Sequence, residues 1–114
     1  MIFVFGSNLA GRHGAGAAKF AVQHHGATYG KGWGLQGKSF AIPTKCANIK
    51  TLPLSTISGY VEVFKDFARE HSELTFLLTP IGCGLAGYSY DQIGPMFKNS
   101  PVNVVIPKEF EPYV

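Results

Sequence analysis

Leu74-Thr-Phe-Leu-Leu-Thr79-Pro-Ile-Gly-Cys-Gly-Leu-Ala-Gly-Tyr88-Ser-Tyr-Asp-Gln92 is the stretch on which the fold turns. Leu74 to Thr79 is rich in apolar residues and stops at a proline, which reads as a buried strand. Gly82 to Gly87 follows as a glycine loop. Ser89 and Gln92 then stand at the spacing of a capping box, in which each side chain satisfies a backbone N–H of the other's end. They predict a helix running to about Phe97. The unit is strand, glycine loop, capped helix.

The same order recurs at the start of the chain. Met1 to Phe5 is a continuous apolar run, expected to be a buried strand. A glycine-rich stretch extends from Gly6 to Gly16. Ala15 to His25 has helix-forming composition, with Ala18, Ala21 and Val22 at helical spacing and Gly26 as the stop. In open α/β sheets, ligands bind outside the carboxyl ends of the strands. Both glycine loops follow strands and precede helices, so they are expected at one edge of one sheet.

The remaining segments fit between these units. Thr28 to Lys38 reads as a glycine-rich loop around Trp33, and Ser39 to Ile42 as a short strand ended by Pro43. Cys46 to Ser58 reads as irregular. Tyr60 to His71 carries Tyr60, Val61, Phe64, Phe67 and Ala68 at the spacing of an amphipathic helix. Val102 to Ile106, between Pro101 and Pro107, is the last expected strand. Strands alternating with helices imply an α/β fold. The expectation is one domain over 1–114, three layers deep, with a mixed, largely parallel central sheet flanked by helices.

Composition narrows the function classes. Hydrophobic residues make up 46% of the chain, enough for a core and against disorder. The formal net charge is +3 without a run long enough to read as a nucleic-acid arm, and a small anionic ligand is an equally good explanation for mild basicity. Cys46 and Cys83 belong to no CxxC pair and the histidines are scattered, so no metal and no cofactor are expected. No apolar run is long enough to cross a membrane, and no leader is evident, so no membrane partner and a reducing, cytoplasmic setting are expected. The oligomeric state is not readable from these residues.

The glycine loops carry the chemistry. Their amides, at helix N-termini, suit a diphosphate, because glycine lets the backbone come close to an anion. The candidate ligand-binding residues are Gly6, Ser7, Asn8, Gly11, His13, Gly14, Ala15 and Gly16 in the first loop. In the second they are Ile81, Gly82, Cys83, Gly84, Leu85, Ala86, Gly87 and Tyr88, and Thr44 joins them from the middle of the chain. Asn8 offers a carboxamide for ribose hydroxyls, the alternative being a cap that closes a tight turn. His13, inside the loop, is the one histidine expected to act as acid or base. Cys83 reads as a small packed residue whose backbone serves the ligand. Tyr88 and Tyr90 are candidates to cover a ring or, alternatively, to pack the helix start. Lys45, just past a strand, can pair with phosphate or attack a sugar carbon, the alternative being a solvated lysine.

One motif is a decoy. Gly32-Trp-Gly-Leu-Gln-Gly-Lys-Ser39 fits the pattern of a nucleoside-triphosphate loop. That mechanism needs a strand before the loop and a helix after it. Phe40-Ala-Ile-Pro43 is strand-like instead, so the motif is set aside.

Asn8-x-x-Gly11-x-x-Gly14-x-Gly16, Ile42-Pro-Thr-Lys45 and Pro80-Ile-Gly-Cys-Gly84-Leu together resemble the macrodomain superfamily. The likeness spans Phe3 to about Ile106. It is nearest to the branch of DNA-ADP-ribosyl glycohydrolase antitoxins and terminal ADP-ribose hydrolases. The resemblance implies an ADP-ribose site, with Asn8 near the distal ribose and Gly82 to Leu85 at the diphosphate. It also implies a catalytic role for Lys45, assisted by Asn8. The sequence departs from the family at Ala86, where some members carry an acidic catalytic residue. It also opens nearly on the glycine loop, without the preceding segment that gives adenine an aspartate. Two functions follow as expectations. One is hydrolysis of an ADP-ribosyl linkage, on an ADP-ribosylated macromolecule or a free derivative such as a phosphate ester. The other is a binding module or sponge for an ADP-ribose-derived nucleotide signal.

Overall fold

The structure, a computed structural model, describes all 114 residues. Its first strand, β1 (Ile2–Asn8), runs through the centre of the sheet and sets the layers. Alternate residues of a strand face opposite sides. Phe3 and Phe5 point to a small cluster with Ala18, Ala21 and Ala27, on the side of helix α1 (Gly16–His24). Ile2 and Val4 point to the main core. There they meet Ile57, Val61, Phe64 and Ala68, the inner face of helix α2 (Leu54–Glu70). Helix, sheet and helix make three layers.

Strand β3 (Ser39–Lys45) repeats the alternation, with Phe40 and Ile42 toward α2 and Ala41 toward α1. With β2 (Gly34–Gln36), β4 (Phe76–Leu78) and β5 (Val104–Val105), it completes a five-stranded sheet in the order β2-β3-β1-β4-β5. The β3–β1, β1–β4 and β4–β5 pairs are parallel, and β2–β3 alone is antiparallel. The α/β class and the mixed, largely parallel sheet are as expected. No helix is long and apolar enough to cross a membrane.

Several boundaries differ from the expected ones, each for a local reason. β1 continues past Phe5 to Asn8, because Ser7 and Asn8 are buried with their polar groups bonded to Gly32 and Arg12. β3 passes through Pro43. β2 ends opposite Ala41, so beyond it β3 is an edge, where a missing N–H is tolerated. The supposed loop 28–38 contains β2, held by the Gln36 carboxamide, which bonds Thr28, Lys31 and Gly34. Gly37 and Lys38 turn this strand back into β3, so the decoy motif is a hairpin with no helix behind it. α2 starts at Leu54, directly after Pro53, not at Tyr60. The capping box of Ser89 and Gln92 is present, but α3 (Tyr90–Ile93) gives way to a 3-10 turn over Gly94–Phe97, where Pro95 has no N–H to donate. β4 and β5 are shorter than the apolar runs containing them.

Candidate functional site

β1, β3 and β4 run parallel, so their carboxyl ends lie at one edge. A cavity of about 490 Å³ opens there between the two glycine loops. That volume is in the range of small-molecule sites.

The first loop is pinned at its root. The Asn8 carboxamide accepts a hydrogen bond from the Arg12 N–H at 2.9 Å and donates one to the Arg12 carbonyl at 2.9 Å. The Leu9 N–H bonds the Lys45 carbonyl at 3.0 Å, tying the loop to β3. Gly11 adopts φ +69° and lies against the chain at Gly30, whose N–H bonds the Gly11 carbonyl at 2.7 Å. Beyond Arg12 the bonding stops. The backbone N–H groups of Gly14 to Ala18 have no acceptor in the protein, and α1 has no side-chain cap. All five of these residues line the cavity.

The second loop faces it. The Tyr88 N–H bonds the Gly82 carbonyl at 2.9 Å and the Gly87 N–H bonds the Gly84 carbonyl at 3.1 Å. Two side-chain bonds tie this loop to the segment after β3. Thr51 Oγ1 donates to the Ala86 carbonyl at 2.9 Å, and Tyr88 OH to the Leu52 carbonyl at 2.6 Å. Gly84, Leu85 and Ala86 line the cavity with N–H groups that have no acceptor. Leu85 is exposed, and its Cδ1 reaches to 3.9 Å from where a Gly16 Cβ would stand. The Leu85 side chain therefore reaches from the second loop to Gly16 of the first.

Thirteen expected residues line this cavity. They are Gly6, Ser7, Asn8, Gly14, Ala15 and Gly16 from the first loop; Thr44 and Lys45 from β3; and Ile81, Gly82, Gly84, Leu85 and Ala86 from the second loop. Lys45 is the register partner of Asn8, and its ammonium forms no ion pair or hydrogen bond within the protein. Thr44 Oγ1 bonds the Ser7 carbonyl at 3.3 Å.

Six expected residues lie elsewhere. Gly11 shapes the loop without lining the cavity. His13 is 2% exposed, edge-on to Phe5 with ring centroids 5.2 Å apart. Its Nε2 faces the Lys31 carbonyl at 2.9 Å and so carries the proton, while Nδ1 is buried without a partner. It is a packed ring, removed from the acid–base role expected of it. Cys83 does not line the cavity and spends its N–H on the Pro80 carbonyl at 3.3 Å. Burial, with the Glu109 charge behind it, pushes the Cys83 thiol up to about 11, so it is protonated and unreactive at neutral pH. Gly87 and Tyr88 stand behind the loop, Tyr88 packing on the main core. Tyr90 packs edge-on to Phe110 with centroids 6.3 Å apart, so neither tyrosine covers the cavity.

The residues missed in the sequence are informative. Arg12, Tyr29 and Ile49 line the cavity, with Ala17, Ala18, Thr79 and Pro80. Tyr29 is 63% exposed, giving the cavity an aromatic face from a segment read as plain loop. Arg12 was legible as a cation inside a glycine loop. No Asp, Glu, His or Cys lines the cavity, and no group of acidic, histidine and cysteine side chains is arranged to hold a metal.

The chain has no match among protein-family models, curated proteins or solved structures.

Proposed function

We propose that this protein binds ADP-ribose or a close derivative in the cavity between its two glycine loops, as the likeness to macrodomains implies. The observation that carries the reading is the pair of facing free-amide runs, Gly14 to Ala18 and Gly84 to Ala86, in a cavity that has two cations and no carboxylate. Unpaired amides at the start of a helix favour a diphosphate. Tyr29 offers a face for the base.

A second reading, hydrolysis of an ADP-ribosyl linkage, is favoured by Lys45, an unpaired amine at the cavity wall. In that reading the Lys45 ammonium first gives a proton to water, and the free amine then adds to the anomeric carbon as the bond to the modified macromolecule breaks. The leaving group takes the proton released by the amine, and water then cleaves the carbon–nitrogen bond to restore the lysine. No His, Asp or Glu lines the cavity, and Lys45 is its only amine.

Isothermal titration with ADP-ribose, with ATP as the control, tests the first reading. Saturable binding of ADP-ribose and not of ATP is expected; equal binding of both, or of neither, refutes it. Lys45→Ala separates the two readings. Loss of ADP-ribose release with affinity retained supports hydrolysis, and unchanged release removes Lys45 from the chemistry.

A further inference from the structure

We infer that Thr51 is a positioning residue of this site: standing opposite Lys45 and bonded to the Ala86 carbonyl, it holds the free amides of Leu85 and Ala86 in place for the ligand. This rests on the ADP-ribose reading and adds to it the residue that keeps the second loop in order.

Thr51 does not line the cavity, and it belongs to the segment Cys46 to Ser58 that reads as irregular. Its place is set by β3. Past Ser7 the β1–β3 register shifts, so that Asn8 stands opposite Lys45 and Thr44 is the extra residue. A bulge of this kind re-aims side chains. The neighbours Thr44 and Lys45 both line the cavity, where a regular strand would send them to opposite faces. The chain then folds back on itself. The Cys46 N–H bonds the Lys50 carbonyl at 2.8 Å, and the Leu52 N–H bonds the Thr44 carbonyl at 2.9 Å. Between these two bonds Thr51 faces Lys45 in an antiparallel bridge. Residues paired in this way, without direct bonds between them, carry their side chains close together on one face.

The turn that Thr51 reaches is otherwise held only by its own loop. The Gly87 N–H bonds the Gly84 carbonyl at 3.1 Å, with Leu85 and Ala86 as the central residues. Gly84, Leu85 and Gly87 are exposed, so the turn stands out from the fold. The bonds from the Tyr88 N–H to Gly82 and from the Cys83 N–H to Pro80 stay within the loop. They shape it without fixing it against the sheet. The Thr51 hydroxyl, donating to the Ala86 carbonyl at 2.9 Å, is the one side-chain hydrogen bond made to residues 84–87. Thr51 therefore grips the peptide group between Ala86 and Gly87 at its carbonyl, while Gly84 holds the same group at its N–H. A peptide group is planar, so bonds on both sides of it fix its plane. That plane constrains the next peptide, between Leu85 and Ala86, whose N–H has no acceptor in the protein. The Tyr88 hydroxyl ties the base of the loop to Leu52 at 2.6 Å, but it stands behind the cavity.

The test uses the full chain as wild type, Thr51→Val and Thr51→Ser. Each is titrated with ADP-ribose well below its melting temperature, and exchange of the Gly87 amide hydrogen is followed by NMR in the free protein. Valine keeps the shape of the side chain and loses the donor; serine keeps the donor. Thr51→Val should bind ADP-ribose about three- to tenfold more weakly, the scale of one hydrogen bond, and should exchange Gly87 faster by a similar factor. Thr51→Ser should bring both quantities to within about twofold of wild type. A role in stability alone would lower the melting temperature of Thr51→Val and leave its affinity unchanged, and that result overturns the inference while the ADP-ribose reading stands. So does a Thr51→Ser protein that binds as weakly as Thr51→Val. Weaker binding by Thr51→Val with unchanged Gly87 exchange also overturns it, because Thr51 would then act on the ligand and not on the turn. A wild type that binds no ADP-ribose refutes the ADP-ribose reading and the inference with it.

Discussion

Substituting Gly11 by alanine should cost far more stability than the same change at Gly14, three residues along the same loop. Gly11 has φ +69°, a left-handed backbone that an L-residue adopts at a cost of about 1–2 kcal/mol. Its added Cβ would stand closer than 3.0 Å to the Gly30 carbonyl group and to the Lys31 nitrogen, a separation real Cβ atoms essentially never show. The neighbours are backbone, so no side chain can rotate away. Forcing the two strands of loop apart adds about 1–3 kcal/mol of overpacking. It also breaks the bond from the Gly30 N–H to the Gly11 carbonyl, worth about 1 kcal/mol. Together these amount to about 3–6 kcal/mol, a large share of the stability of a domain this size.

For 114 residues that loss corresponds to a fall in Tm of about 12–25 °C. Gly14 has no left-handed φ, and a Cβ there meets nothing within 4 Å. Gly14→Ala should therefore melt within about 2 °C of wild type, while narrowing the cavity that it lines. Calorimetric melting of the three proteins decides the matter. A Gly11→Ala protein within about 1 kcal/mol of wild type would show that the loop opens at little cost. The close packing of residues 11 and 30 would then not be what holds the first wall of the site.

The two cysteines should behave as opposites toward iodoacetamide at pH 8. Bonds from the Lys50 and Asn48 backbone N–H groups to the Cys46 sulfur, with the Lys50 charge, lower its pKa, so its thiolate fraction at pH 8 rises. Cys83, pushed up to about 11 mainly by burial, stays a thiol until strongly alkaline pH. Mass spectrometry should find Cys46 alkylated first and Cys83 only after unfolding; faster labelling of Cys83 would contradict its packed position. At the far side of the fold, Asn103 Nδ2 serves the carbonyls of Ala68, His71 and Leu74 at 2.9, 3.1 and 3.0 Å, closing the end of α2. Asn103→Ala should lower stability by about 1–3 kcal/mol, read as a lower urea midpoint at constant m. An unchanged midpoint would mean that water replaces the amide at no cost.

The elements that the sequence revealed are those whose apolar residues repeat. Phe3 and Phe5, and the stripe Val61, Phe64, Ala68, face packed layers, so their period is visible. The capping box of Ser89 and Gln92 was legible because it is local. β2 was hidden because its three residues hold position through the Gln36 side chain and pairing with β3, contacts that no window of sequence contains. The end of β1 was hidden because its last residues are polar yet buried, satisfied by Gly32 and Arg12. In the site, the glycine loops declared themselves, but the direction of each side chain did not. His13 turns inward onto Phe5, and Arg12 beside it stays at the cavity. Tyr29 arrives from a distant loop whose Gly30 lies against Gly11, and its ring stands edge-on to His13.

What distinguishes this sheet edge is where the backbone bonding starts and stops. The N–H groups of Leu9, Gly11 and Arg12 all have partners, and the next bonded one is that of Lys19, to the Ala15 carbonyl at 3.2 Å. The free amides between them lie next to a segment held by Asn8, β3 and Gly30, and opposite a loop held by Thr51 and Tyr88. Donors fixed on both sides keep their direction before a ligand arrives, so little ordering entropy remains to be lost on binding. The same fixation explains why the glycines divide into two kinds. Gly11 is needed by the fold, because another backbone occupies the space of its side chain. Gly14 and Gly84 face open space, and there the missing side chain leaves room for something other than protein. Bulk added at Gly84 should therefore act on affinity and leave melting almost unchanged, the reverse of bulk added at Gly11.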